Sequence, residues 1–142
     1  MLTAAALCLV VAISDGDTLK ARCGEPGAYQ QLTIRLSEID APEKKQPFGQ
    51  RSRANLGALC FGVVATIKPQ TRDRYGRTVA RVGCRGKDAS SEQVRAGLAW
   101  FYVRYGTDAS LGALEGLARG SRAGLWADHA PVAPWEWRAS RR

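Results

Sequence analysis

The residues Asp15-Gly16-Asp17 most constrain what this chain can fold into. An Asp-Gly pair between two apolar or β-branched runs is a strong tight-turn signal, and this one separates residues 7–13 from residues 18–23. The two runs are expected to pair as an antiparallel hairpin, with Asp17 at the start of the second strand. A further turn carries Pro26 and Gly27, and residues 30–39 read as a third strand. Leu32, Ile34 and Leu36 share one parity in it, so that face is buried and Arg35 points off it. Pro42 stops the strand and leaves Asp40 and Glu43 where the chain turns outward.

Residues 50–59 have the pattern of a helix ended by Gly62. Residues 63–68 and 79–84 read as the fourth and fifth strands, joined by the charged run Thr71-Arg72-Asp73-Arg74-Tyr75-Gly76-Arg77. A capping box, Ser90 to Gln93, opens a second helix ending near Gly97, and Leu111, Leu114, Leu117 and Ala118 mark one face of a third. The tail, residues 131–142, carries Trp135, Trp137 and three arginines without periodicity and reads as an extended flap. The class is α+β by content, and the pattern suits a five-stranded OB-type β-barrel with three helices, though pattern alone supports an α+β sandwich nearly as well. Residues 1–6 read as the remnant of an export sequence or an early start, 7–127 as the barrel domain, and 128–142 as a basic, Trp-containing tail.

Length and charge narrow the partners. A chain of 142 residues is enough for one core of its own. Lys plus Arg number 21 against 13 Asp plus Glu, and this net charge of +8, mostly arginine, favours a polyanion such as nucleic acid. The apolar run at residues 2–13 is too short to span a membrane and has no Lys or Arg before Lys20. A monomer with no membrane association is expected.

Cys8, Cys23, Cys60 and Cys84 lack Cys-x-x-Cys spacing, which argues against zinc and for either disulfides or inert buried thiols. The hairpin sets Cys8 across from Cys23 and leaves Cys60 and Cys84 as a second pair. If both close, the protein belongs in an oxidising compartment, periplasmic or secreted.

The chemistry lies in acids and arginines. Asp17 and Asp40 are hard oxygen ligands, and Ala41, held extended before Pro42, can offer its carbonyl to the same ion. Glu43 is then placed to hold or deprotonate a water, while Arg35 and Arg77 can clamp a phosphate with planar forks. Each motif alone has a plainer explanation as a turn, a cap or a solvated salt-bridged loop. Their joint occurrence shifts the balance toward phosphodiester hydrolysis.

In order, Asp15-Gly16-Asp17-Thr18, Ile34-Arg35-Leu36 leading to Asp40-Ala41-Pro42-Glu43, Asp73-Arg74-Tyr75-Gly76-Arg77, and Val94-Arg95-Ala96-Gly97-Leu98-Ala99 resemble the motifs of the staphylococcal nuclease (thermonuclease) family. The resemblance runs from about Val10 to Trp126. It implies an OB-type barrel and a nuclease with one Ca2+ ion that attacks DNA and RNA and leaves 3′-phosphates. By position it implies Arg35, Glu43 and Arg77 as catalytic residues and Asp17, Asp40 and the Ala41 carbonyl as calcium ligands. Arg74, Tyr75 and Tyr105 match positions that bind substrate, whereas Tyr102 stands one place from an expected base-stacking tyrosine. Ala41 replaces the family's usual threonine, and Gly83 stands where an aromatic is common. The tail, with Gly124-Leu125-Trp126 and Pro134-Trp135-Glu136-Trp137-Arg138, resembles those of exported bacterial members, and its tryptophans are expected to cover core rather than stack bases. The rival expectation is a catalytically silent nucleic-acid-binding module of the same fold.

Overall fold

The computed structural model describes residues 4–142, so part of the segment read as an export remnant lies outside the described residues. Strand β1 (Ala6–Asp15) turns at Gly16 and Asp17 into β2 (Thr18–Cys23), with Ile13 opposite Leu19 and Asp15 opposite Thr18. β2 pairs antiparallel with β3 (Gln30–Leu36). β5 (Val64–Arg72) pairs antiparallel with β1 and with β6 (Thr78–Cys84). β6 then runs parallel to β3, with Arg35 opposite Val79, and closes the five strands into a barrel. Its interior holds Val10, Leu19, Ile34, Leu36, Ile67 and Val82, all buried, as the alternation of apolar and polar residues requires. Both disulfides, Cys8–Cys23 and Cys60–Cys84, are formed.

The third strand departs from expectation by stopping at Leu36. Glu38 adopts a left-handed φ of 75°, and the chain resumes as the two-residue strand β4 (Ile39–Asp40), paired with β8 (Trp100–Phe101). The break is fastened from both sides. Arg35 Nη1 donates to the Leu36 and Ile39 carbonyls at 2.7 and 2.8 Å, while the Glu38 carboxylate accepts the Thr107 and Asp108 amides.

Helix α1 (Gly49–Cys60) packs on β1, and Leu56 drives its buried side into the core. Gly49 is required by close approach, because a Cβ there would overlap the Glu43 carbonyl oxygen. After the short β7 (Lys87–Asp88), α2 (Ala89–Arg95) is capped by Asp88, whose side chain accepts the Ser91 amide, and not by the expected box at Ser90. Ser90 is instead buried and donates to the Ser37 carbonyl. α3 (Ala109–Gly120) follows, then a 3-10 turn at Gly124–Ala127 that buries Leu125 and Trp126.

The tail is not extended. Pro134 occupies the first turn of a fourth helix, α4 (Pro134–Ser140), so the described residues form four α-helices rather than three. A proline there gives up an amide that has no helical partner anyway. No helix among the described residues is long and apolar enough to cross a membrane.

Candidate nuclease site

The tight turn between β1 and β2 delivers Asp17, and the interrupted strand delivers Arg35 and Asp40 to the same point. Arg35 Nη2 lies 3.4 Å from both Asp17 Oδ2 and Asp40 Oδ1, so one guanidinium draws the two carboxylates together. Asp17 is further fixed by the Ala41 amide, 2.8 Å from its Oδ2, and by the Thr18 hydroxyl. Burial alone would raise the Asp17 pKa, but Arg35 and these hydrogen bonds hold it below the usual carboxylate range.

Asp40 is 1% exposed. Burial, reinforced by the charge of Asp17, keeps its pKa above the ordinary value despite Arg138 and Arg35. A third acid, Asp15, accepts the Asp17 amide and is pushed up to about 7 by burial and then by Asp17. Asp15, Asp17 and Asp40 thus lie together in the lining of one cleft beside Arg35.

Glu43 follows Pro42 in a loop closed by Gln46, whose side chain accepts the Glu43 amide while its own amide donates to the Glu43 carbonyl. Its carboxylate is part-exposed and borders the cleft. Across the cleft, Asp73 shapes the loop between β5 and β6. Its Oδ1 accepts the amides of Tyr75 and Arg77, and its Oδ2 holds Arg77 Nε at 2.6 Å. Arg74 lies over the exposed Tyr75 ring and donates to its hydroxyl.

A cleft of about 830 Å³ gathers all of the sequence candidates: Arg35, Glu43 and Arg77; Asp17, Asp40 and Ala41; Arg74, Tyr75 and Tyr105. Tyr102 reaches the same cleft beside Tyr105, edge to face at 5.2 Å. Sequence reasoning missed Asp15 and the contribution of α4. Trp135 stacks on Tyr102 at 5.2 Å with the rings 6° apart, and Arg138 Nη2 and Nη1 contact Asp40 Oδ2 at 2.7 Å and Oδ1 at 3.2 Å. The Asp-Gly-Asp spelling was signal enough for Asp15, and Pro134 at a helix start was the one mark of α4.

Asp17 and Asp40 present only hard oxygens and converge within reach of one nitrogen of Arg35, a donor set suited to Ca2+ or Mg2+. Among the described residues no group of three or more His, Cys, Asp or Glu side chains is arranged to hold a metal. An ion here would therefore take most of its ligands from backbone, water and substrate.

Comparison with known proteins agrees with this geometry. Residues 33–128 match the family model described as Staphylococcal nuclease homologue. The chain is 42% identical over 130 residues to an Escherichia coli protein described as an uncharacterized endonuclease, covering 91% of this chain and 82% of that one. It is 36% identical over 144 residues to the micrococcal nuclease of Shigella flexneri, covering 94% and 80%. It is also 42% identical over 113 residues to the staphylococcal-like nuclease CAN1 of Arabidopsis thaliana, covering 80% of this chain but 35% of that longer protein. With the barrel, the clustered acids and arginines and these matches together, the chain belongs to the staphylococcal nuclease family.

Proposed function

We propose that the protein is a calcium-dependent nuclease that hydrolyses phosphodiester bonds of DNA and RNA with little sequence preference and leaves 3′-phosphates. The observation that carries this reading is the shared cleft in which Arg35 and Arg77 face Asp17, Asp40 and Glu43. Asp17, Asp40 and the Ala41 carbonyl would hold the ion, whose charge polarises a non-bridging phosphate oxygen. Glu43 accepts a proton from the attacking water. Arg35 and Arg77 take up the negative charge that grows on the phosphoryl oxygens, and the bond to the 5′ oxygen breaks, that oxygen leaving with the bonding electrons and taking a proton from solvent. Arg74, Tyr75 and Tyr105 line the path of the neighbouring nucleotide.

Asp73 has a part in this arrangement, because it holds Arg77 Nε at 2.6 Å and so fixes where that guanidinium stands at the cleft. The enzyme acts as a monomer on this reading and works in an oxidising, exported setting, which the two disulfides support.

The test is cleavage of single-stranded DNA and RNA by wild type and Glu43→Gln, with calcium, magnesium or chelator. Wild type is expected to need calcium, and Glu43→Gln is expected to keep oligonucleotide binding while turnover falls by about 10²–10⁴, the range for a general base. Full activity in chelator would refute the ion, and an unchanged rate for Glu43→Gln would refute the role of Glu43.

A further inference from the structure

Arg138 lies in the cleft, yet the proposed chemistry gives it no part. Its guanidinium bonds both oxygens of Asp40, at 2.7 and 3.2 Å, and reaches Glu43 Oε1 at 2.7 Å. One side chain therefore engages both the acid proposed to hold the ion and the acid proposed to activate water. A fork that matches two carboxylate oxygens is the strongest form of such a pair.

Its carrier is firmly docked. Ala133 and Pro134 are buried, and the Val132 carbonyl accepts Gln46 Nε2 at 2.6 Å. Trp135 is stacked on Tyr102 and meets Trp100 edge-on at 5.4 Å. Gln46 also holds the Glu43 amide, so the loop of the water-activating acid and the base of α4 share one side chain.

A guanidinium has no lone pair to give a metal, and it occupies the oxygens that a metal would use. Ion and arginine therefore compete for the lone pairs of Asp40 and repel across it. We propose that Arg138 is a positioning residue that holds Asp40 and Glu43 in the ion-free protein and competes with the ion for Asp40, so that α4 sets how tightly the site takes its metal. The inference rests on the calcium reading above. It gives the tail a task other than covering core: it supplies a cation when no metal is present and withdraws it when one arrives.

The test is calorimetric titration of the full chain with calcium, without nucleic acid, for wild type, Arg138→Met and Arg138→Lys. Methionine keeps the bulk of the stem and removes the charge. It is expected to tighten calcium binding by about tenfold to a hundredfold, the range for hydrogen bonds between charged groups. Lysine is expected to fall between the two, because an ammonium keeps the charge but cannot span both oxygens. In chelator Arg138→Met should melt below wild type, and calcium should raise its melting temperature by more. A purely structural role for Arg138 would lower stability without tightening the metal. Equal or weaker calcium binding by Arg138→Met, with Arg138→Lys also no tighter than wild type, overturns the inference and leaves the calcium reading standing. Absence of calcium binding in all three proteins overturns both.

Discussion

Gly16 sits where the turn, α1 and the acidic cluster meet, and replacing it with alanine tests how tightly the fold holds the site. Its φ is not positive, so conformational freedom is not what it supplies. It supplies room. A Cβ at Gly16 would overlap Ser52 Oγ and lie 2.7 Å from Ser52 Cβ and 2.9 Å from Ala41 Cβ. Ser52 has no easy retreat: it is fully buried and donates to the Leu98 carbonyl at 2.6 Å. Overpacking of this kind costs about 1–3 kcal/mol, and orphaning a buried hydrogen-bonding group costs about 1–3 kcal/mol more.

The expected loss for Gly16→Ala is thus on the order of 2–6 kcal/mol, or a fall in melting temperature of roughly 6–20 °C for a domain of this size. Urea unfolding followed by circular dichroism measures it. Ser52→Gly removes both clashing serine atoms, so in Gly16→Ala/Ser52→Gly the two losses should fail to add by about 1 kcal/mol or more. A Gly16→Ala protein within about 0.5 kcal/mol of wild type, or two losses that add in full, would refute the packing argument.

Two other outcomes concern stability. Asp108 caps α3 through Ser110 and pairs with Arg81, and the Ser110 hydroxyl and then Arg81 hold its pKa down to about 2. A depressed carboxylate stabilises fully above its unfolded value of about 4 and loses that contribution as pH falls through its folded value. The gap in urea midpoint between wild type and Asp108→Asn should therefore be widest at pH 5 and shrink toward pH 2, and a gap that does not change over this range would contradict the assignment. Opening either disulfide by paired Cys→Ser substitution should cost about 3 kcal/mol, given closed loops of 15 and 24 residues. An unfolding curve unmoved by full reduction would show that neither bond constrains the chain.

The barrel was legible because its signals are local: an Asp-Gly turn, alternating strands and a proline stop each declare themselves within a few residues. The hairpin register even set Cys8 against Cys23. The break at Glu38 was not legible, because it is fastened by Thr107 and Asp108 from far along the chain. The capping serine was misread for a related reason, since Ser90 serves Ser37 in the core and Asp88 does the capping. Asp17, Arg35 and Asp40 could be nominated from residue type and order, but their convergence depends on where the third strand stops. Arg138 was hidden most completely. It sits in a helix of seven residues, too short for a periodic pattern, and its partners Asp40 and Glu43 lie 98 and 95 positions earlier.

The parallel pairing of β3 with β6 also fixes when the cleft can exist. Arg35 and the Arg77 loop lie on opposite sides of the barrel seam and are brought together only when β6 docks beside β3. Non-local pairing of this kind forms late, after the loop entropy has been met. A chain emerging from the ribosome therefore carries Asp17, Arg35 and Asp40 on an open meander with no facing wall, and α4 follows β6 later still. A chain whose β6 has not docked cannot assemble the cleft, and Asp40 and Glu43 lack their Arg138 partner until α4 has been made as well.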